Sequence, residues 1–306
     1  MTKKRNEYRL SNGLEVYCDS KANLEILDRE LFRQNSYFQY GITLDDGDCV
    51  FDVGANCGMF VLYLNQLLRQ AKVHAFEPIP ATFQLLEKNA ARHNRLDLDL
   101  HPYGLSREAG EATFRHFPGV SVASTMYPQD SRQFRRDSRL FILQEVRAMP
   151  GLLGWAARCT PGFFWTPVLE IVRRWYQRSV CVTCRLATLS QIIRDCEVTR
   201  IDLLKVDAEG AEHDVLAGLA AEHWPLIRQA VVEVHHGQSD AEEISKLFAS
   251  LGFECTAERL SAEVDHLWMV FARRPADWRA PSKLDMLDKG TNGDRPRLFG
   301  IRFAPS

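Results

Sequence analysis

Hydrophobic positions along this chain follow two rhythms that keep exchanging places. Short apolar runs of strand length cover 49–53, 72–77 and 98–104. Between them, apolar residues recur every three or four positions, which predicts helices over 57–70 and from about 81 to 93. The alternation returns later in the chain. A strand over 201–207 precedes a helix over 211–220, and a strand over 229–235 precedes a helix over 240–251. Strands near 252–258 and 266–273 have only a short link between them and predict a closing hairpin. Strands separated by helices must pair in parallel through crossovers, with both sheet faces covered. The pattern therefore predicts an α/β fold: an open, mostly parallel sheet, helices on both faces and one antiparallel strand near an edge.

The ends and the middle break the rhythm. "YRLSNGLEVYC" predicts a hairpin turning at Asn12-Gly13. Leu24, Leu27, Leu31 and Phe38 fit one face of a helix over 22–40. Residues 1–48 thus form a hairpin and helical lead-in to a main domain spanning 49–274, and the Pro- and Gly-rich stretch 275–306 predicts a flexible tail. Residues 127–180 are too long for an ordinary connection. Nine arginines from Arg132 to Arg178 are interleaved with "LFIL", "GLLGW" and "GFFW", which predicts an inserted helical lid. Arg158, Pro161 and Pro167 interrupt its apolar runs, so a membrane span is not expected.

The totals add limits. The chain has 306 residues, 45% hydrophobic and 25% charged, with a net charge of −2. That balance gives no general attraction to nucleic acid or membrane. Eight cysteines without framework spacing, behind a polar opening, predict a reducing, cytoplasmic setting. "CVTC" (Cys181 to Cys184) has metal-pair spacing but no second pair, and it alternates like a strand.

The chemistry concentrates at strand ends. "VFDVGANCGMF" places Asp52, Gly54 and Gly58 where a strand turns into a helix, the rim at which open α/β sheets bind ligands. A dinucleotide site would use G-x-G-x-x-G. Here the spacing is G-x-x-x-G, and Asp52 would repel a diphosphate. A ligand with an ammonium and a sulfonium, such as S-adenosylmethionine, reverses that objection. Glu77, ending the next strand in "VHAFEP", is placed to accept ribose hydroxyls.

These segments, with "AFEPIPATFQLLEKNAARHN", "LLKVDAEGAEHDVLAG" and "VVEVHH", closely resemble FkbM-type methyltransferases over about residues 10–126 and 185–272. The resemblance implies the Rossmann-like class I methyltransferase fold with a seven-stranded sheet and S-adenosylmethionine as cofactor. It implies cofactor contacts at Asp52, Gly54, Ala55, Asn56, Gly58, Glu77, Pro78 and Asp207, with Ser106 near the adenine. The insertion is longer than in compact members and is similar to the lid of members that serve polyketide or peptide assembly lines.

Methyl transfer to an aliphatic hydroxyl needs a base within hydrogen-bond reach. "KVDAEGAEH" supplies Lys205, Asp207, Glu209, Glu212 and His213. The next strand end supplies Glu233, His235 and His236. The expectation is His235 as base with Glu209 as its orienting acid. His236 is the rival, because adjacent strand residues face opposite ways. Asp207 and Glu212 are also helix-cap candidates, and Lys205 a structural ion-pair partner. A metal held by Asp207, Glu209 and His235 is conceivable, but the expected mechanism is metal-free. The acceptor is expected to be a small molecule or a carrier-bound polyketide, peptide or sugar intermediate, with the insertion's arginines meeting the carrier or staying solvated. Asp52 and the missing third glycine disfavour a nicotinamide-dependent oxidoreductase. An intact cofactor turn disfavours a silent binding module.

Overall fold

The computed structural model describes residues 6–118, 121, 124–126, 151–165, 167, 179–260 and 266–279. A seven-stranded sheet forms its centre. In spatial order it consists of β11 (Glu254–Arg259), β12 (Trp268–Arg273), β10 (Gln229–Val234), β9 (Leu203–Val206), β3 (Asp48–Val53), β4 (Ala71–Phe76) and β5 (Asp97–His101). β12 is antiparallel to both of its neighbours, and the pairings from β10 to β5 are parallel. The single reversed strand thus lies one in from the edge, and the closing hairpin is β11–β12.

The apolar runs explain the layering. β9 and β10 are buried at every position, as strands covered on both faces must be. Neighbouring residues of β3 serve opposite sides. Val50 joins the core beneath α1 (Lys21–Leu27), α2 (Met59–Leu67) and α3 (Pro80–His93). Phe51 joins the core beneath α5 (Leu189–Asp195), α6 (Glu212–Ala217) and α7 (Gln238–Ser250). Val53 is in register with both Phe76 and Val206. Residues 54, 77 and 207 therefore leave the sheet together, along one rim.

The N-terminal hairpin pairs β1 (Glu7–Arg9) with β2 (Glu15–Tyr17), and Gly13 takes a positive φ of 89° in its turn. The helix expected over 22–40 ends early. α1 passes into a π-helical turn, Asp28–Arg33, and Asn35 then adopts a left-handed φ of 51°, a conformation that stops a helix although Phe38 keeps the apolar spacing.

One feature was not expected. β6 (Gly104–Leu105), β8 (Val180–Ala187) and β7 (Gly110–His116) form a separate three-stranded sheet, and α5 follows β8 directly. "CVTC" lies in β8 with Cys181 exposed and Cys184 buried, both free thiols. Of the expected lid, the described part holds α4 (Leu152–Cys159) and the short turn Gly162–Trp165, with Trp155 and Phe164 exposed. Most of the insertion, including Arg135, Arg136, Trp175 and Tyr176, lies outside the described residues, as does the tail beyond 279. No helix among the described residues is long and apolar enough to cross a membrane.

Candidate functional site

The aligned ends of β3, β4 and β9 open into a cleft of about 920 Å3, its mouth included. Gly54 has φ 78°, and a Cβ there would stand 1.8 Å from the carbonyl oxygen of Asp207. Only glycine lets these two strand ends approach so closely. Gly58 serves packing instead: its Cβ would meet Leu86 Cδ1 at 2.6 Å, where α2 crosses α3. Gly54, Ala55, Asn56, Glu77 and Pro78 all line the cleft, with Ile79, Leu105 and Phe114 as apolar wall. Asn56 Oδ1 accepts from the Cys57 amide at 2.8 Å and from Ser121 Oγ at 3.0 Å, which ties the turn to the segment after β7.

Glu77 is buried, and its two oxygens accept from the amides of Asn56 at 3.1 Å and Ile79 at 2.9 Å. Burial pushes its pKa up to about 7, against the pull of those two N–H groups. Each oxygen keeps a second lone pair, so the carboxylate is held in place with capacity left for a hydroxyl. Ser106 does not line the cleft. Its amide donates to the Ala187 carbonyl at 2.9 Å, and its own carbonyl packs against Gly218. Its neighbours Gly104 and Leu105 line the cleft.

The expectation for Asp52 needs the largest correction. Its side chain is fully buried beneath the cleft floor, and Lys205 Nζ lies 3.0 Å from Oδ1. Lys205 also donates to the Gly54 carbonyl at 3.0 Å and stands 3.6 Å from Asp207 Oδ2. Burial alone would lower the Lys205 pKa, but Asp52 and Asp207 outweigh it and hold the ammonium charged. Asp52 is therefore no free anion awaiting a cationic ligand. It fixes the lysine that braces the glycine turn.

The cluster around His235 is built differently. His235 follows β10, is buried, and faces the other strand ends. Its Nδ1 is 2.9 Å from Glu212 Oε1, which also accepts from the Gly210 amide at 2.8 Å. Its Nε2 lies 3.3 Å from Glu209 Oε2, 3.7 Å from Glu233 Oε1 and 4.0 Å from Asp207 Oδ1. Burial would lower the His235 pKa, yet the carboxylates of Glu209, Glu212 and Glu233 outweigh it and raise it well above 6.5. The same burial pushes Glu209 well up and Glu233 to about 7. Glu212 is lowered: burial opposes ionisation, but His235 and two backbone amides prevail. The orienting acid on Nδ1 is thus Glu212, while Glu209 stands at the other nitrogen. Glu209 itself has φ 50°, and its carbonyl accepts from Thr125 Oγ1 at 2.6 Å. His236 is exposed and has Asp240 at 3.9 Å, away from the cleft. His213 sits on α6 with Asp240 at 3.4 Å.

One oxygen each of Asp207 and Glu233 and one nitrogen of His235 lie within 4.8 Å of one another, a spacing able to hold a cation. Glu233, rather than Glu209, completes that trio.

Two cleft residues escaped the sequence reading because they come from the lead-in. Tyr37 Oη donates to Glu233 Oε2 at 3.1 Å, across 196 residues of chain. Glu30, in the π-helical turn, lines the cleft. No local motif marks either one. The bond to β10 brings in Tyr37, and the packing of the π-helical turn on α2, Phe32 against Tyr63, brings in Glu30.

Strand order, reversed β12 and the rim cleft together define a Rossmann-like class I methyltransferase. Residues 52–255 match the methyltransferase FkbM domain. The chain is 33% identical over 270 residues to 31-O-demethyl-FK506 methyltransferase FkbM of Streptomyces tacrolimicus, covering 88% of this chain and 96% of that one. It is 30% identical over 273 residues to methyltransferase sdnD of Sordaria araneosa, covering 86% and 95%. It is also 32% identical over 291 residues to the AMB antimetabolite synthetase AmbE of Pseudomonas aeruginosa, covering 90% of this chain but 13% of that one. Among solved structures, a methyltransferase FkbM from Methylobacillus flagellatus KT matches at 13% identity and TM-score 0.44, covering 77% of this chain and 46% of that one. The chain belongs to the FkbM methyltransferase family.

Proposed function

We propose that this protein transfers the methyl group of S-adenosylmethionine to a hydroxyl of a small molecule or carrier-bound natural-product intermediate, with His235 as the base. The observation that carries this reading is the setting of His235. Glu212 holds Nδ1, so Nε2 is directed towards Asp207 and Glu209, both of which line the cleft.

The residues present fit the cofactor. Gly54 allows close approach, Glu77 keeps lone pairs for ribose hydroxyls, and Ile79, Leu105 and Phe114 offer an apolar wall for a base. When bound, S-adenosylmethionine supplies an activated methyl on a sulfonium, so the protein's part is alignment and proton removal. His235 must first be unprotonated. In the free protein its carboxylate neighbours favour the imidazolium. Positive charge arriving beside those carboxylates opposes it, so donor binding readies Nε2 to take the acceptor's proton. Glu212 then fixes the ring's orientation and supports the charge it gains.

The relatives support the substrate class. One is a methyltransferase of 31-O-demethyl-FK506 and another is an antimetabolite synthetase, which favours oxygen as the acceptor atom and a natural-product pathway. The arginines of residues 127–180 suit an acidic carrier.

Mass spectrometry with isotopically labelled methyl donor and a panel of hydroxylated and carrier-bound acceptors is the test. Transfer of the labelled methyl to oxygen, unaffected by a chelator, is expected. Binding of NAD(P)H alone, or donor binding without methyl loss on any acceptor, would reject the reading.

A further inference from the structure

The donor carries an ammonium on its amino-acid end, and a buried ammonium needs an anion. Asp52 is engaged by Lys205. Both oxygens of Glu77 accept backbone amides. Of the other carboxylates lining the cleft, Glu209 faces His235 Nε2 at 3.3 Å, and Asp207 has Lys205 at 3.6 Å on Oδ2 and His235 at 4.0 Å from Oδ1. Asp207 keeps a buried Oδ1 with no hydrogen-bond partner. Glu30 lines the same cleft, and no hydrogen bond or ion pair reaches its carboxylate among the described residues.

We infer that Glu30, carried into the cleft by the π-helical turn, is the carboxylate that receives the donor's ammonium, with Asp207 Oδ1 beside it. This rests on the function proposed above.

The π-helical turn treats its two acids differently. Asp28, two residues earlier, is fully committed. Its Oδ1 accepts from Ser11 Oγ at 2.8 Å, and its Oδ2 accepts from Arg33 Nε at 3.0 Å. Among the described residues, the arginine of the turn that makes an ion pair, Arg33, thus binds the acid on the hairpin side. Arg29, next in sequence to Glu30, exerts only an opposing charge on it. The backbone is pinned as well: Gln34 N donates to Arg29 O at 2.9 Å and Ser36 N to Glu30 O at 3.0 Å. Wide turns of this kind recur at functional sites.

Glu30's surroundings are unfavourable until a cation arrives. Burial is the largest influence on its carboxyl, followed by the like charges of Glu233 and Asp207, and together they push its pKa to about 8. A half-buried acid facing two others is a cost to the free protein. An ammonium placed among them would remove that cost, ionise Glu30 and pair with it.

The test measures S-adenosylhomocysteine binding by calorimetry, alongside its analogue in which hydrogen replaces the amino group. Glu30→Gln should weaken the parent ligand about tenfold to a hundredfold, as for loss of a charge-assisted hydrogen bond. It should change the analogue by less than about threefold, and Glu30→Asp should restore part of the loss. The free Glu30→Gln protein should melt no lower than wild type. Equal weakening of both ligands, an unchanged parent affinity with a raised acceptor KM, or a lower melting temperature would each overturn the inference. Failure of wild type to bind S-adenosylhomocysteine would instead sink the proposed cofactor.

Discussion

The cleft floor and the cluster around His235 are built from the same kinds of residue and settle their charge in opposite ways. Beneath the floor, Asp52 and Lys205 neutralise each other at 3.0 Å and brace the Gly54 carbonyl. At the end of β10, Asp207, Glu209, Glu212 and Glu233 surround the single ring of His235. A closed pair contributes rigidity. An unbalanced group holds free energy that a ligand can release, which is where function concentrates. Asp52 shows why an acid's position in a motif does not reveal which case applies.

The sharpest way to break the contrast is Lys205→Met. It leaves Asp52 buried without its cation and should cost roughly 3–5 kcal/mol in urea unfolding. Adding Asp52→Asn should restore most of that loss. If Lys205→Met is neutral, the floor pair is not structural.

His235→Gln should lower methyl-transfer kcat about a hundredfold to ten-thousandfold, with S-adenosylhomocysteine affinity nearly unchanged. His236→Ala should stay within about twofold. Comparable losses in the two variants would remove the distinction that geometry draws between them.

Glu77→Ala should weaken S-adenosylhomocysteine about tenfold to a hundredfold. The 2′,3′-dideoxy analogue should lose little. An equal loss on the analogue would mean that Glu77 only shapes the turn.

The smallest effect is on pH. Glu233 and Glu30 have folded-state pKa values raised to about 7 and about 8. A raised carboxyl stabilises the fold below its unfolded value near 4.5, and that stability drains away as pH climbs through the folded values. His235, also raised, changes in the same direction above 6.5. Melting temperature of the free protein should therefore fall between about pH 4.5 and pH 8, and saturating S-adenosylhomocysteine should flatten the slope. A rise over that window would contradict the unbalanced charge around Glu30, Glu233 and His235.

Much of the architecture is visible in residue order, because buried parallel strands must be apolar throughout and their crossovers helical. "VFDV", "LLKV" and "AVVEV" read as strands because they are short, rich in β-branched residues and bounded by helical spacing. The side sheet of β6, β7 and β8 was harder: its partners are separated by the long insertion, and β8 carries only a weak alternation. The candidate site divides along the same line. Gly54, Glu77 and His235 sit at strand ends, so topology alone delivers them to the rim. Glu212 looked like a helix cap because its reach to His235 depends on how α6 leaves β9. Lys205's choice of Asp52 depends on two neighbouring strands in register, which no single motif records.

Tyr37's bond to Glu233 spans 196 positions, and that between the Thr43 amide and Gln229 Oε1 spans 186. Loop closure over such separations is slow. A growing chain can pair its hairpin and pack α1 on α2 and α3 early, but it must leave these two contacts open until the tenth strand has been synthesised. The end of the lead-in is in effect a latch that shuts last, and a segment cut to begin at residue 49 would emerge with its reaction chamber missing the wall of Leu27, Glu30, Leu31 and Tyr37.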